Sequence, residues 1–335
     1  MTKGKTRKKP RKRIKRRLYV GGVNNIKEIQ SEYIQSPEEI HTNNAMSRKN
    51  FINLPCSPVV KYSKYVDKIK GAGCYPMTVL TTLRNYWNKY NPKDPIEANG
   101  SAQEIYAILK NKLMNKCNNE KCWATVLDPY NDYGVFFAPK RPAKWEKNIH
   151  TWLSTIDIWQ VVKQYERAFR YFKCIYPAPI DFDKLVKEVN VTCISDELCT
   201  FKLNSYLSKG YTKIGMVFNT DPHDKPGQHW IALFIDMPRG IIYFFDSAGD
   251  ECPAEIMKLV SRIVFQSKEL KKPLTFSQNY PMTHQYSTTE CGMYVLYFII
   301  NMLLNKVTPE ELSTIRIPDE KITNLRNSYF IPYDI

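Results

Sequence analysis

The sequence predicts an α+β fold in which a helical N-terminal region precedes a region of mixed strands and helices. Between about residues 75 and 117, apolar residues recur at three- and four-residue spacing, as on the buried face of a helix. After about residue 150, short runs rich in Ile, Val, Phe and Tyr are typical of strands. Hydrophobic residues make up 43% of the chain, which is enough for a sizeable core and excludes global disorder.

Two helices are predicted in the N-terminal region, and Pro92, Pro95 and Gly100 separate them. Their periodic apolar residues are Met77, Leu80, Leu83, Tyr86, Trp87, Ile105, Ile108, Leu109 and Leu113. The stretch 136–144 contains two prolines and three basic residues and is typical of a domain boundary.

The C-terminal region is predicted to contain four strands, at 212–218, 229–235, 240–245 and 274–280. A helix is predicted at 253–270, with Pro253 in its first turn. The run 291–305 is apolar all round, which indicates a buried helix. Thr308, followed by a proline and two acids, is a typical N-cap for one further helix.

Charge is concentrated at the N-terminus. The chain carries a net charge of +16, and eleven of its basic residues lie in 1–17, which contains no acid; removing them leaves +5.

We predict a disordered basic tail at 1–17, a linker with one short helix at 18–60, a helical accessory domain at 61–145 and a second domain at 146–335. The tail is expected to bind nucleic acid or another polyanion without sequence specificity, since polybasic segments bind through counterion release. Plain solvation and nuclear import are the alternatives.

Nine cysteines are scattered along the chain without regular spacing, and their odd number disfavours a secreted disulfide framework. We therefore expect a soluble protein of a reducing compartment. Cys117 and Cys122 have no second pair or histidine nearby, so no metal site is predicted, and nothing indicates a cofactor. The longest apolar run, 294–304, is far shorter than the ~20 residues that span a bilayer, so no membrane span is predicted.

Two predicted strands bring a histidine and a carboxylate towards each other. His229 opens the strand 229–235, and Asp246 follows the strand 240–245. A hairpin turn centred between Met237 and Pro238 would place the two residues opposite each other, with Cβ atoms about 5 Å apart. A carboxylate there can hold the imidazole in one tautomer and stabilise its protonated form, whereas a one-residue slip would separate them.

Cys291 is predicted to begin the buried helix. The N-terminus of a helix favours a thiolate, because its free amides and its dipole stabilise negative charge. Together with His229 and Asp246, this cysteine would complete a nucleophilic triad. Gln285, six residues earlier, can donate a side-chain N–H to an oxyanion alongside the Cys291 amide. Gly292 would let another segment approach the backbone beside the sulfur.

The order and spacing of these residues resemble those of the superfamily of SUMO-specific and adenovirus proteases. The shared motifs, in chain order, are His229-Trp230, Asp246-Ser247, Gln285 and Cys291-Gly292. Within that superfamily, the chain is most similar to the virion-maturation proteases of nucleocytoplasmic large DNA viruses, such as those of African swine fever virus and mimiviruses. Segments 152–158 and 162–166 add to that similarity, which covers 145–300 well and 70–145 more loosely. The relatives in African swine fever virus carry Asn where this chain has Asp246.

The resemblance implies a papain-like, SUMO-protease-like fold with a central, mostly antiparallel sheet flanked by helices. It also implies a viral cysteine endopeptidase that processes structural polyproteins during virion maturation and cuts after small residues, such as Gly-Gly or Ala-Gly. Such an enzyme would act in the virion and in the viral factory of the host cytoplasm. Trp152 and Trp230 are predicted to bind substrate, because in the SUMO proteases a tryptophan at the position of Trp152 covers the substrate backbone.

Two other functions are compatible with the sequence. An isopeptidase that removes ubiquitin or SUMO would use the same site and would also recognise Gly-Gly. A nucleic-acid-binding virion protein with a degenerate protease fold is disfavoured by the intact set of four catalytic candidates. Among rival residues, His223 lies in a turn-like stretch that would hold a catalytic base poorly, and His284 is predicted to be a loop residue beside Gln285.

Overall fold

The computed structural model describes residues 51–62, 72–97, 100–187 and 191–331. All of them belong to one compact unit that spans 48–335. The predicted basic tail and most of the predicted linker lie outside the described residues. The boundaries proposed for the accessory domain and the second domain stay predictions.

The described residues form twelve α-helices, with 3₁₀ turns at Gly134–Phe136 and Ala143–Glu146. The helices are α1 (Pro58–Tyr62), α2 (Met77–Tyr90), α3 (Ala102–Leu113), α4 (Glu120–Leu127), α5 (Thr155–Ala168), α6 (Asp196–Cys199), α7 (Leu203–Leu207), α8 (Ala254–Glu269), α9 (Cys291–Leu303), α10 (Pro309–Thr314), α11 (Asp319–Asn324) and α12 (Arg326–Tyr329).

The strands of the described residues form a central mixed sheet and a separate two-stranded ribbon. They are β1 (Phe172–Cys174), β2 (Ala178–Pro179), β3 (Leu185–Lys187), β4 (Val191–Cys193), β5 (Lys213–Asn219), β6 (Trp230–Asp236), β7 (Ile241–Phe245) and β8 (Thr275–Gln278). In the central sheet, β5, β6 and β7 are antiparallel neighbours, while β1 and β2 pair with β5 and β8 pairs with β7 in parallel. The fold is α+β, as predicted, with antiparallel strands at the centre of the sheet.

Strand β6 is buried on both faces, and its alternation divides the interior in two. Trp230, Ala232 and Phe234 pack in the same core as α5 and α9. The intervening residues Ile231 and Leu233 pack in a second core with α8 on the other face. A period of two therefore places α9 and α8 on opposite sides of the sheet. Within the described residues, no helix is both long and apolar enough to cross a membrane.

The N-terminal helices have a core of their own, which includes Leu80, Leu109 and Trp123. The chain end reaches this core through Ile331, whose backbone pairs with Pro139 and Arg141. Helix α3 begins with a capping box between Ser101 and Glu104, and α10 begins with the predicted N-cap at Thr308. Pro253 is the N-cap of α8, one residue before the first turn predicted for it.

Six of the nine cysteines are paired in disulfides, although their odd number and irregular spacing disfavoured a disulfide framework. The disulfides join Cys56 to Cys74, Cys117 to Cys122 and Cys193 to Cys199. Each pair is close in sequence, at separations of 18, 5 and 6 residues, so the fold brings the partners together locally. The odd total could not reveal this, because three cysteines remain free: Cys174, Cys252 and Cys291.

Candidate active site

His229 and Asp246 lie at neighbouring strand ends and contact each other. His229 immediately precedes β6, Asp246 immediately follows β7, and His229 Nε2 lies 2.6 Å from Asp246 Oδ1. The predicted register was wrong, since Ala232 pairs with Phe245 and the turn is centred one residue later. In the observed register, the position opposite His229 is two residues beyond Asp246. Because side chains alternate between faces with a period of two, His229 and Asp246 still lie on one face, diagonal to each other.

Asp246 is itself held in place by its neighbours. The backbone N–H of Ala248 donates to Asp246 Oδ1 at 2.8 Å. The buried side chain of Asn279 accepts a hydrogen bond from Asp246 N at 2.9 Å and donates to Asp246 O at 2.7 Å. The sequence analysis missed Asn279, because it follows β8 and nothing local in the sequence shows that its amide reaches β7.

Cys291 is the first residue of α9 and is only 2% exposed. The first amides of a helix have no acceptor within the helix, so they face whatever lies before its first turn. Leu153 packs directly on this turn: a Cβ added to Gly292 would lie 3.0 Å from Leu153 Cβ. Glycine at position 292 thus allows the segment around Leu153 to approach the backbone beside the thiol, as its smallness predicts.

The imidazole of His229 bridges Asp246 and Cys291. Burial lowers the pKa of His229, but hydrogen bonds and charge attraction to Asp246 and Cys291 outweigh that effect and raise the pKa to about 10. Because Nε2 faces Asp246, the nitrogen that faces the sulfur is Nδ1. The arrangement therefore favours the protonated imidazolium form of His229.

Gln285 is held by side-chain and backbone contacts on both sides. The hydroxyl of Ser247 donates to Gln285 Oε1 at 2.8 Å, and Ser247 O accepts the backbone N–H of Gln285 at 2.8 Å. Gln285 Nε2 donates to Ser287 O at 2.8 Å. An amide nitrogen carries two hydrogens, so this contact uses one of them and leaves the other for a ligand. Ser247 thus links the loop after β7 to Gln285, a role that the sequence analysis did not assign to it.

Trp152 and Trp230 line one cleft of about 470 Å³. Trp152 is 45% exposed, and its indole N–H donates to Thr288 O at 2.9 Å. Trp230 is 8% exposed, and its indole N–H donates to Leu153 O at 3.0 Å. One tryptophan is therefore fastened to the loop before Cys291, and the other is fastened to the segment that carries Trp152. The structure brings both predicted substrate-binding residues to the same opening.

The two rival histidines have other partners. His223 is one of the residues that line the cleft, and its Nδ1 lies 2.7 Å from Asp181 Oδ2. His284 is fully buried: its Nε2 donates to Leu312 O at 3.0 Å, and its Nδ1 accepts the N–H of Ile317 at 3.1 Å. Burial lowers the pKa of His284, which keeps it neutral. His284 is therefore a loop residue, as predicted, and its ring is part of the core.

Comparison with known protein families gives a match over the C-terminal part of the chain. Residues 204–334 match the family described as the Ulp1 protease family, C-terminal catalytic domain. They form an Ulp1-type peptidase domain. The matched segment contains His229, Asp246, Gln285 and Cys291.

Two viral proteins are similar to the peptidase over most of its length. A protein of Acanthamoeba polyphaga mimivirus that is named as a thiol protease is 26% identical over 279 residues, which cover 80% of this chain and 84% of that protein. A cysteine protease of African swine fever virus is 25% identical over 253 residues, which cover 71% of this chain and 92% of the viral protein. The peptidase is therefore a cysteine peptidase of the same type as these viral enzymes.

A solved structure has the same fold. The crystal structure of the African swine fever virus protease aligns with a TM-score of 0.55 and 22% identity, and the alignment covers 70% of this chain and 93% of the other. At this identity the likeness establishes the fold, and the chemistry of the peptidase is argued from its own residues.

A buried ion pair adjoins the cysteine of the peptidase and was missed by the sequence analysis. Glu290, which immediately precedes Cys291, lies 2.8 Å from Arg326 Nη2 and 3.1 Å from its Nε, and both side chains are 1% exposed. Arg326 also donates to Thr151 O at 3.3 Å and stacks 4.4 Å from the Trp145 ring. It therefore joins α12, the start of α9 and the segment before Trp152. Sequence could show two charged residues here but not that the fold would bury both.

Proposed function

We propose that the peptidase is a viral endopeptidase that processes structural polyproteins during virion maturation and cuts after small residues, such as Gly-Gly or Ala-Gly. The observation that carries the catalytic part is the contact chain from Asp246 through His229 to Cys291 at the start of α9. The likeness to proteins named as thiol and cysteine proteases of two viruses supports the viral cysteine-protease part of the proposal. The polyprotein substrates, and an action in the virion and in the viral factory of the host cytoplasm, are further parts of the proposal. No cofactor enters the proposed reaction.

Cys291 is the nucleophile of the proposed reaction. Its thiolate attacks the scissile carbonyl and forms a C–S bond, while His229 Nδ1 gives its proton to the leaving amine as the C–N bond breaks. Water then attacks the thioester, gives a proton back to His229 and releases the acid as the C–S bond breaks. Asp246 holds the imidazole through Nε2 and stabilises its charge throughout.

Gln285 stabilises the oxyanion of both tetrahedral intermediates in this proposal. Its second Nε2 hydrogen and the amide of Cys291 are the donors, and the Ser247 hydroxyl fixes the orientation of the side chain. Preorganised donors of this kind are each worth about 10²–10³ in kcat, because they need no rearrangement at the moment of reaction.

A three-substrate assay tests the function. A fluorogenic peptide ending in Gly-Gly should be cleaved, and co-expressed viral structural polyproteins should be cut after small residues, as mass spectrometry of the new termini would show. Efficient removal of a ubiquitin-like modifier, with the polyproteins left intact, would favour the isopeptidase alternative. No cleavage of any substrate by folded protein would favour a degenerate protease fold.

Selectivity for glycine is expected to depend on Trp152. The half-exposed indole and the buried Trp230 line one cleft, and in this proposal they leave room before the cut for glycine but not for a branched side chain. In a peptide library varied at the two positions before the cut, Trp152→Ala should relax the preference for glycine and raise KM. Trp159→Ala is the matched control, because Trp159 lies on α5 outside the cleft lining. Ready cleavage after Leu or Lys by the unmodified enzyme would exclude a narrow slot.

The pH profile should have an alkaline limb set by His229. The pKa of His229 is raised to about 10, so the imidazolium is retained at neutral pH and lost as pH rises through about 10. Its contribution to stability follows the same sign: it is fully present below the usual histidine pKa of about 6.5 and disappears through about 10. In Asp246→Ala the main partner is gone, and the alkaline limb of kcat/KM should move to lower pH. An unchanged limb in that variant would contradict the pairing.

The basic tail is proposed to bind nucleic acid or another polyanion. The proposal is based on the eleven basic residues in 1–17, a segment that lies outside the described residues. Binding of duplex DNA should weaken steeply between low and physiological salt, since each phosphate contact releases counterions. A variant that begins at Leu18 should lose most of that affinity. Equal binding by both proteins across the salt titration would assign the interaction to another region.

A further inference from the structure

The loop 284–288, which carries Gln285, is hydrogen-bonded to the start of α11 through one carboxylate. Asp319, at the start of α11, accepts hydrogen bonds through Oδ2 from the backbone N–H groups of Tyr286 and Ser287, at 3.0 and 3.3 Å. Its Oδ1 accepts from the Ser287 hydroxyl at 3.1 Å. Both oxygens of one side chain therefore hold the two residues that follow Gln285.

The same carboxylate also joins this loop to the nucleophile helix. The hydroxyl of Tyr294, one turn after Cys291 on α9, lies 3.1 Å from Asp319 Oδ1 and 3.1 Å from His284 O. Arg316 offsets the charge, with Nη2 donating to Asp319 Oδ2 at 3.2 Å and Nε donating to His284 O at 3.0 Å. These contacts fix the loop relative to the start of α9 from the side opposite Ser247.

We propose that Asp319 is a positioning residue for Gln285 in the oxyanion hole. The link runs through Ser287: Asp319 holds its N–H and hydroxyl, and its carbonyl accepts one Nε2 hydrogen of Gln285 at 2.8 Å. That contact sets the amide plane, so the second Nε2 hydrogen has one direction only. With Ser247 holding Oε1, the carboxamide is clamped at both ends before substrate arrives.

A carboxylate suits this place because four donors converge on it: two backbone amides, the Ser287 hydroxyl and a guanidinium. The Tyr294 hydroxyl also lies 3.1 Å from Oδ1, but its one hydrogen is shared with the nearer Ile317 O, at 2.9 Å. Asn has one acceptor oxygen, so its NH₂ group would face either N–H groups, which cannot accept, or the two hydroxyls, which would have to turn their hydrogens elsewhere. Asp319→Asn would therefore weaken the hold on Ser287 and let the Gln285 amide rotate, while Asp246, His229 and Cys291 keep their mutual contacts. The inference rests on the proposed oxyanion role of Gln285.

A double-mutant cycle with the full-length enzyme tests the inference. Asp319→Asn should lower kcat for a fluorogenic Gly-Gly peptide by roughly ten- to a hundredfold, below the full loss that one oxyanion donor causes. KM and the rate of Cys291 alkylation by iodoacetamide should each stay within about threefold, since substrate binding and the thiolate are untouched.

Gln285→Ala should lower kcat at least as much as Asp319→Asn, and the double variant should be no slower than Gln285→Ala alone. Glu320→Gln, at the neighbouring carboxylate in the same first turn, should leave kcat unchanged.

The outcomes distinguish a failure of the oxyanion role of Gln285 from a failure of the positioning role of Asp319. Full activity in Gln285→Ala would overturn the oxyanion role and the inference with it. A slow Gln285→Ala beside a fully active Asp319→Asn would overturn the inference alone, and so would a double variant whose loss is the product of the two single losses. A fall in kcat matched by an equal fall in folded fraction and alkylation would assign Asp319 a purely structural role. Should Asp319→Asn fail to fold, Ser287→Ala removes only the Oγ contact and is expected to lower kcat by roughly threefold, again only where Gln285 is present.

Discussion

Cys291→Ala is expected to abolish turnover of every substrate while the fold stays intact. The peptide bond is attacked by the thiolate in the proposed mechanism, and within the described residues no other nucleophile stands at the start of α9 beside His229. Removal of a nucleophile that works as a unit with its base costs on the order of 10⁶ in kcat. Circular dichroism should show an unchanged thermal transition to within a few degrees. Retained cleavage by the purified variant would contradict the mechanism.

The free thiol of Cys252 provides the matched control for this experiment. Burial raises the pKa of Cys252 to about 12 and raises the pKa of Cys174 as well, so both thiols are protonated at neutral pH. Cys252→Ala should therefore keep full activity. Iodoacetamide should label Cys291 well before Cys174 or Cys252, and equal labelling of the three would argue against a thiolate at Cys291.

Arg326→Leu is expected to have the largest effect on stability. The substitution removes the buried partner of Glu290, a carboxylate that is 1% exposed and whose other ionisable neighbour, His150, lies 3.6 Å away. Breaking a buried pair in this way costs about 3–5 kcal/mol. The guanidinium also contacts Thr151 O and the Trp145 ring, so packing is lost too. Urea denaturation followed by tryptophan fluorescence would measure the loss in free energy of unfolding.

Two further variants show whether the buried charge of Glu290 causes the loss of stability. The double variant Glu290→Met with Arg326→Leu should recover part of the lost stability, because no buried charge then remains at this pair. Lys184→Met removes a lysine that is 55% exposed and lies 4.0 Å from Asp181 Oδ2, and it should change stability by less than about 1 kcal/mol. A loss of under about 1 kcal/mol for Arg326→Leu, or a double variant that is less stable than the single one, would contradict this account.

Most long elements of the fold could be predicted from periodicity, because their patterns are local. Helices α2, α3, α8 and α9 and strands β5 to β8 lie within a few residues of their predicted ranges. The short edge strands β1 and β2 could not be predicted, since two or three residues carry no pattern and are ordered by pairing with β5. Helix α5 was not predicted, although Ser154 and Asp157 form a capping box that marks its start.

The residues of the candidate site could be predicted, but the residues that hold them in place could not. His229, Asp246, Gln285 and Cys291 were found because strand ends and a helix start leave local signals, and because the order of the motifs resembles a known superfamily. The roles assigned to them stay predictions. The hairpin register could not be fixed in advance, since it depends on the four-residue turn 237–240.

The supports of the site could not be found, because each joins segments that are distant in the chain. Asn279 reaches Asp246 across 33 residues, and Arg326 reaches Glu290 across 36. Asp319 lies 32 residues from Ser287. A single sequence shows only that these residues are polar, whereas the burial and the geometry that make them effective arise from tertiary packing.

Covalent trapping of the thiolate tests the central claim most directly. A peptide that ends in Gly-Gly and carries a C-terminal electrophile, such as a vinyl methyl ester, should form one thioether, and tandem mass spectrometry should place it on Cys291. His229→Ala should form the same adduct at least about ten times more slowly at neutral pH, since the imidazolium that stabilises the thiolate is gone. An adduct on Cys174, Cys252 or a side chain other than cysteine, or equal rates with and without His229, would contradict the account.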